Sequence, residues 1–66
     1  MNVELNGSPR EVVDGTTLAE LIESLTGSTR GSAAAVDGEV VPRSTWAGYA
    51  LREGQRVELI TAVQGG

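Results

Sequence analysis

One stretch of this chain, and only one, carries an apolar period of 3.6: Leu18, Leu21, Ile22 and Leu25 fall at i, i+3, i+4 and i+7 and make a single stripe. Thr17 and Glu20, three residues apart, form a capping-box pair whose hydroxyl and carboxylate each accept a bond from an orphaned backbone N–H of the first turn. Gly27 is placed to stop the helix, and Glu20 and Glu23 take its wet side. A lone amphipathic helix must lay its stripe on another layer, and everything else in the sequence reads as strand or turn. The fold class that follows is α+β, a mixed sheet covered on one face by a single helix.

Asn2-Val3-Glu4-Leu5-Asn6 alternates with period two, and Asn6-Gly7 supplies the positive-φ pair of a tight turn. An extended pattern resumes over residues 10–13, so residues 2–13 read as a hairpin; which of Val12 and Val13 faces inward is open, and Pro9 fits only the entry of that strand or an edge position. Asp14-Gly15 breaks it. Residues 28–32 hold Ser, Thr, Arg and Gly with no apolar side chain and read as a solvated, mobile loop. Residues 33–36 are a short strand, and Asp37-Gly38 before Glu39-Val40-Val41 is the strongest hairpin signal in the chain. Pro42 closes that strand, and Ser44 is positioned to cap a brief helical turn carrying Trp46 and Tyr49. After the Glu53-Gly54 turn, residues 56–63 make the best strand, with Val57, Leu59 and Val63 on one face and Glu58, Ile60 and Ala62 on the other. A right-handed crossover through the helix brings this last strand beside the first. The expected core is Val3, Leu5, Leu18, Leu21, Ile22, Leu25, Val57 and Leu59.

A 66-residue chain buries only about 60% of the surface it exposes when unfolded, so one small domain with one modest core is expected, and no deep substrate cavity. Its inventory is narrower still: no His, no Cys and, since all five basic residues are Arg, no Lys. Disulfides, thiolate metal sites and thiol nucleophiles are excluded, which points to the cytoplasm. The longest apolar run is four residues, 33–36, and no basic-then-apolar signal opens the chain, so neither membrane insertion nor secretion is expected. Net charge is −4 with the Arg scattered at 10, 30, 43, 52 and 56, which argues against nucleic-acid binding.

Glu20 and Glu23 could share a proton or a metal, but no His or third carboxylate accompanies them, and a solvated helix face is the stronger reading. No metal site is therefore expected. No G-x-G-x-x-G or P-loop pattern is present, so the chain should bind no nucleotide by itself. Trp46 could anchor a partner, yet with no Phe to fill the core, packing over one end of the sheet is favoured; Tyr49 suits both roles equally. Ile60 and Ala62 differ, because the parity that buries Leu59 turns them to the uncovered face, where with Ala33 or Ala35 they could make a docking surface rimmed by Glu58 and Arg56.

The last dipeptide, Gly65-Gly66, would end a chain by chance about once in two hundred at a background Gly frequency of about 7%, or about once in fifty at this chain's own composition. A frayed tail is the bland reading. The chemical one makes the Gly66 α-carboxylate the reactive group: two residues without Cβ form a thin strand that threads a narrow channel and leave the carboxyl carbon open to attack. A carboxylate becomes electrophilic only when another enzyme converts it to an acyl-adenylate. A chain without Lys, His or Cys offers that adenylate no nucleophile of its own.

Met1-Asn2-Val3-Glu4-Leu5-Asn6-Gly7, Thr17-Leu18-Ala19-Glu20-Leu21-Ile22, Val41-Pro42-Arg43-Ser44-Thr45-Trp46-Ala47, Leu51-Arg52-Glu53-Gly54 and Val57-Glu58-Leu59-Ile60 leading to Val63-Gln64-Gly65-Gly66 together resemble the ThiS family, the ubiquitin-like sulfur carriers of thiamine biosynthesis. The Val-Pro-Arg-x-x-Trp segment is the specific part; terminal Gly-Gly is shared with other carriers and with modifiers. Gln55 departs from the Asp often found after Gly54, which touches only a turn.

The resemblance implies a β-grasp domain over residues 1–63 and a flexible C-terminal tail, 64–66. It implies that a ThiF-type adenylating enzyme, using ATP and magnesium that this chain does not bind, adenylates Gly66. Sulfur from a donor such as a cysteine desulfurase then displaces AMP to give a thiocarboxylate, and the thiazole synthase ThiG takes the sulfur into the thiazole. Gly65 and Gln64 would thread the partner's channel, and Ile60, Ala62, Glu58 and Val63 would dock the partners. Such a protein is a recycled substrate, not an enzyme. Rival readings are the small subunit of molybdopterin synthase, the carriers of cysteine biosynthesis, and a ubiquitin-like modifier joined to target lysines.

Overall fold

The computed structural model describes residues 1–61; residues 62–66 lie outside the described residues. In chain order the elements are β1 (Asn2–Leu5), β2 (Ser8–Glu11), α1 (Leu18–Thr26), β3 (Ser32–Val36), β4 (Glu39–Val40), a 3-10 helix (Arg43–Gly48) and β5 (Arg56–Thr61). The five strands form one mixed sheet in the order β2-β1-β5-β3-β4. β5 lies in the middle, parallel to β1 through Glu4↔Arg56 and Leu5↔Val57, and antiparallel to β3 from Ser32↔Thr61 to Val36↔Val57. This is the α+β arrangement, a mixed sheet covered by one helix, that the single stripe and the crossover argument predict, and it has the β-grasp form that the resemblance implies.

The helix is built as its sequence indicates. Thr17 Oγ1 accepts the Glu20 N–H at 3.2 Å, and Glu20 Oε1 accepts the Thr17 N–H at 2.9 Å. Gly27 closes the helix at φ 80°, its N–H donating to the Glu23 carbonyl at 2.8 Å. Both hairpin turns hold positive φ at each central residue, Asn6 and Gly7 in the first, Asp37 and Gly38 in the second, as the right-handed twist of the flanking strands requires.

The structure corrects several details. β2 ends at Glu11, so residues 12 and 13 are not in the strand. Val12 still packs against the core while Val13 is 79% exposed. Pro9 sits inside β2, tolerated because that strand is an edge. β4 holds only Glu39 and Val40; Val41 follows it, buried, its N–H on the Ala34 carbonyl at 2.9 Å. Ser44 caps nothing. Pro42 is the N-cap of the 3-10 helix, with no side-chain cap bond, and the Thr45 hydroxyl donates to the Pro42 carbonyl at 2.9 Å.

The core contains Val3, Leu18, Leu21, Ile22 and Val57 as expected, joined by Ala34, Val36, Val41, Trp46 and Leu51. Leu5, Leu25 and Leu59 are only partly buried and line its margin. The centre has moved because the 3-10 segment packs against α1 and drives the indole into the interior, where Trp46 is 1% exposed and Nε1 donates to the Val41 carbonyl at 2.8 Å. One large ring does the filling that several Phe would do in a richer sequence.

Candidate functional site

Strand parity sets the two faces of the sheet. Val57 and Leu59 point toward α1, and Glu58 and Ile60 point away from it. Directly paired residues share a face, so Ala33 stands beside Ile60, and Ala35 beside Glu58. Val40, paired with Ala35, continues the row onto β4. Ile60 is 69% and Val40 78% exposed. The helix-free face thus carries an apolar strip of Ile60, Ala33, Ala35 and Val40, bordered by Glu58, Arg56 and Glu4. Arg56 Nε lies 4.0 Å from Glu4 Oε1, a loose exposed pair. Exposed apolar groups of this kind on a charged field have the composition of a small interface.

Of the residues expected to dock partners, Glu58 and Ile60 are on this face together. Ala62 and Val63 lie outside the described residues, as do Gln64 and Gly65, expected to thread, and Gly66, the expected reaction site. Val40 is the residue the sequence reading missed. Its signal was the Asp37-Gly38 hairpin itself: pairing residue 40 with residue 35 puts Val40 on the open face and sends Val41 inward.

The alternative sites weaken on inspection. Trp46 is sealed in the core and Tyr49 is packed against it. Glu20 is committed to the cap, and among the described residues no group of three or more His, Cys, Asp or Glu could hold a metal. Asp14 sits at a turn with its carboxylate 3.2 Å from the Met1 ammonium, and Asp37 accepts the Arg56 N–H at 3.0 Å. An open groove between residues 12–16 and α1 is lined by Asp14, Thr16, Glu20, Glu23 and Ser24 among others, but the Thr16 and Ser24 hydroxyls donate to the Val13 and Leu21 carbonyls and Glu20 is held in the helix cap. Among the described residues no helix is long and apolar enough to cross a membrane.

Position in the sheet is what distinguishes the end of the chain. β5 is the central strand and runs parallel to β1, so Thr61 lies at the same end of the sheet as the Asn6-Gly7 turn, and the apolar Ile60–Ala33 pair flanks that end. The five residues after Thr61 follow directly from the strand bordering the exposed strip.

The sequence profile of the ThiS family matches residues 3–66. The chain belongs to the ThiS family. It is 30% identical, over the full length of both chains, to the sulfur carrier protein ThiS of Escherichia coli K12. The crystal structure of a thiamine biosynthesis protein (ThiS) from Geobacter metallireducens superposes with a TM-score of 0.82 at 26% identity, covering 100% of both chains. A solution structure of a thiamine biosynthesis protein from the same organism gives 0.83 at 26% identity, covering this chain fully and 88% of the other. SAMP1 from Haloferax volcanii shares the fold at a TM-score of 0.58 and 18% identity, covering 98% and 97% of the two chains. The ThiS family is one of ubiquitin-like sulfur carriers, and the mixed sheet with one helix is its β-grasp architecture.

Proposed function

We propose that this protein is the sulfur carrier of thiamine biosynthesis and that all of its covalent chemistry takes place on the Gly66 carboxylate. The observation that carries this reading is the family match through residue 66, on a chain that ends in Gly-Gly and has no Cys, His or Lys. In the cycle, a carboxylate oxygen of Gly66 attacks the α-phosphorus of ATP on a ThiF-type enzyme, and pyrophosphate leaves. The terminal sulfur of a persulfide supplied through a cysteine desulfurase then attacks the acyl carbon and the C–O bond to AMP breaks, giving an acyl disulfide; a thiol reductant cleaves its S–S bond, leaving the thiocarboxylate and a new disulfide. ThiG takes that sulfur into the thiazole and the carboxylate returns. ATP and magnesium belong to the adenylating enzyme and the chain is a substrate rather than an enzyme, working in the cytoplasm where those partners operate.

Two glycines offer too little surface to specify a partner, so affinity must come from the folded body. The helix-free strip around Ile60, with Ala33, Val40 and Glu58, is the docking surface in this reading, with Ala62 and Val63 as further docking residues and Gln64 and Gly65 as threading residues. The test is intact-mass analysis after incubation with a ThiF-type enzyme, ATP, magnesium and a sulfur donor. The parent protein gains the mass of an oxygen-to-sulfur exchange at its C-terminus, and a variant lacking Gly66 gains none. A truncated chain that still acquires sulfur, or lysine-linked conjugates in place of a thiocarboxylate, would overturn the reading.

A further inference from the structure

A strand at the edge of a sheet leaves a row of backbone N–H and C=O groups to which a strand of another molecule can bond. Among the described residues this sheet has two such edges, β2 and β4. The chain has two prolines, and one stands at each: Pro9 within β2, and Pro42 two residues past Val40 of β4.

Hydrogen-bond parity shows which way their nitrogens face. Met1 and Val12 exchange two bonds, the Met1 ammonium donating to the Val12 carbonyl at 2.8 Å and the Val12 N–H to the Met1 carbonyl at 2.8 Å. The register continues through Asn2↔Glu11, Val3↔Arg10, Glu4↔Pro9 and Leu5↔Ser8, and in an antiparallel ladder bonded and non-bonded pairs alternate. Arg10 and Ser8 therefore turn their backbone groups to β1, and Glu11 and Pro9 turn theirs outward. The far side of β1 agrees, since the Glu4 N–H donates to the Gln55 carbonyl at 2.8 Å and not toward Pro9. At the other edge the Val41 N–H donates to the Ala34 carbonyl at 2.9 Å, so Val40 and Pro42 on either side of it face outward. Pro42 keeps the backbone extended, at φ −60° and ψ 138°, and its carbonyl already accepts the Thr45 N–H and hydroxyl. At each edge, one of these two outward positions has no N–H to give.

We propose that Pro9 and Pro42 close the two edges of this sheet to a second copy of the chain. β4 holds only two residues, so β2 is the edge long enough to pair with itself. Two β2 strands related by a two-fold axis have three registers that set outward residues opposite one another. With residue 9 opposite residue 11 of the other copy, each Glu11 N–H reaches a Pro9 carbonyl, but both return bonds need the N–H that proline lacks. Shifted one way, Pro9 opposes Pro9 and neither donates. Shifted the other way, Glu11 opposes Glu11, and like charges directly opposite on one face are destabilising. No register completes a ladder.

Pro9→Thr tests it, because Thr restores the N–H on a polar, strand-favouring side chain. Ser8→Thr is the control: it makes a similar change one residue away, where the N–H faces β1. Sedimentation equilibrium from about 10 μM to about 1 mM reads the dimerisation constant, and hydrogen exchange at residue 9 reads the contact itself. The parent and Ser8→Thr are expected to stay at 6.8 kDa. Pro9→Thr is expected to rise toward twice that mass, dimerising at least about tenfold more tightly than the parent, with the residue 9 amide protected only in the dimer. Should Pro9→Thr fold poorly, Pro9→Ala restores the same N–H and is read in the same way. A folded Pro9 variant that stays monomeric throughout overturns the proposal, as does equal association of Ser8→Thr. A parent protein that dimerises with protection of its Glu11 amide overturns it as well, and none of these outcomes bears on the carrier reading.

Discussion

Replacing Leu21 by Ala removes buried methyl groups from the middle of the core, where the side chain is 3% exposed. The cavity left beneath α1 costs about 2–5 kcal/mol, a large share of the stability a domain of this size has. Glu23, two residues on and so on the wet side of the helix, is exposed and makes no side-chain bond on which the fold depends. Glu23→Ala therefore changes stability by no more than about half a kcal/mol. Paired urea melts check the contrast, and equal losses for the two variants would mean that the buried face of the helix is not the one described. Trp46 follows the same physics with an added constraint. Its ring is sealed and its N–H needs the Val41 carbonyl, so the residue that most resembles an interface anchor by type is committed to the interior.

At the scale of elements, β5 does two things with one alternation. Its inward residue Val57 closes the core, and its outward residue Ile60 centres the exposed strip. The two roles separate cleanly by mutation. Ile60→Asp puts an unpaired charge at the middle of the proposed docking surface and, on the carrier reading, is expected to weaken binding to the adenylating enzyme by about 2 kcal/mol or more, while a side chain already 69% exposed leaves the fold unchanged. Calorimetric titration against that enzyme, with circular dichroism to verify folding, is the measurement. Unchanged affinity in a folded variant would move the docking surface elsewhere on the body. Val40→Asp, two strands further out on the same face, is expected to show a smaller loss because it lies on the edge strand, nearer the rim.

For the whole molecule, the proposed carrier role divides the labour between a folded body that contributes affinity and a terminus that contributes chemistry. Gly65→Val tests their independence. A β-branched side chain obstructs passage through a confined channel and stiffens the backbone, so sulfur loading falls by roughly a hundredfold, while the melting temperature stays that of the parent. Thiocarboxylate formation followed by mass spectrometry reads the first quantity and thermal melting the second. Loading at the parental rate would show a channel wide enough to accept branching, and a large drop in melting temperature would show that the body and the terminus are not independent.

The local sequence determined what depends on near neighbours. Thr17 and Glu20 cap a helix because they lie three residues apart; Asn6-Gly7 and Asp37-Gly38 turn because those residues tolerate positive φ; and Ile60 opposes Leu59 because strand side chains alternate. The proposal of a reactive terminus rests on the same kind of local signal, two adjacent residues and the side chains the chain lacks. Tertiary structure decided the rest. That Trp46 fills the interior, that Val41 and Leu51 join it, and that Val40 extends the exposed strip depend on how the 3-10 segment and β4 settle against elements remote in sequence. Asn6 shows the limit most plainly. By itself it is a turn residue; its bonds to Leu59 span 53 residues, and no periodicity or composition encodes them, because only the parallel pairing of the first strand with the last brings that amide to the backbone it completes.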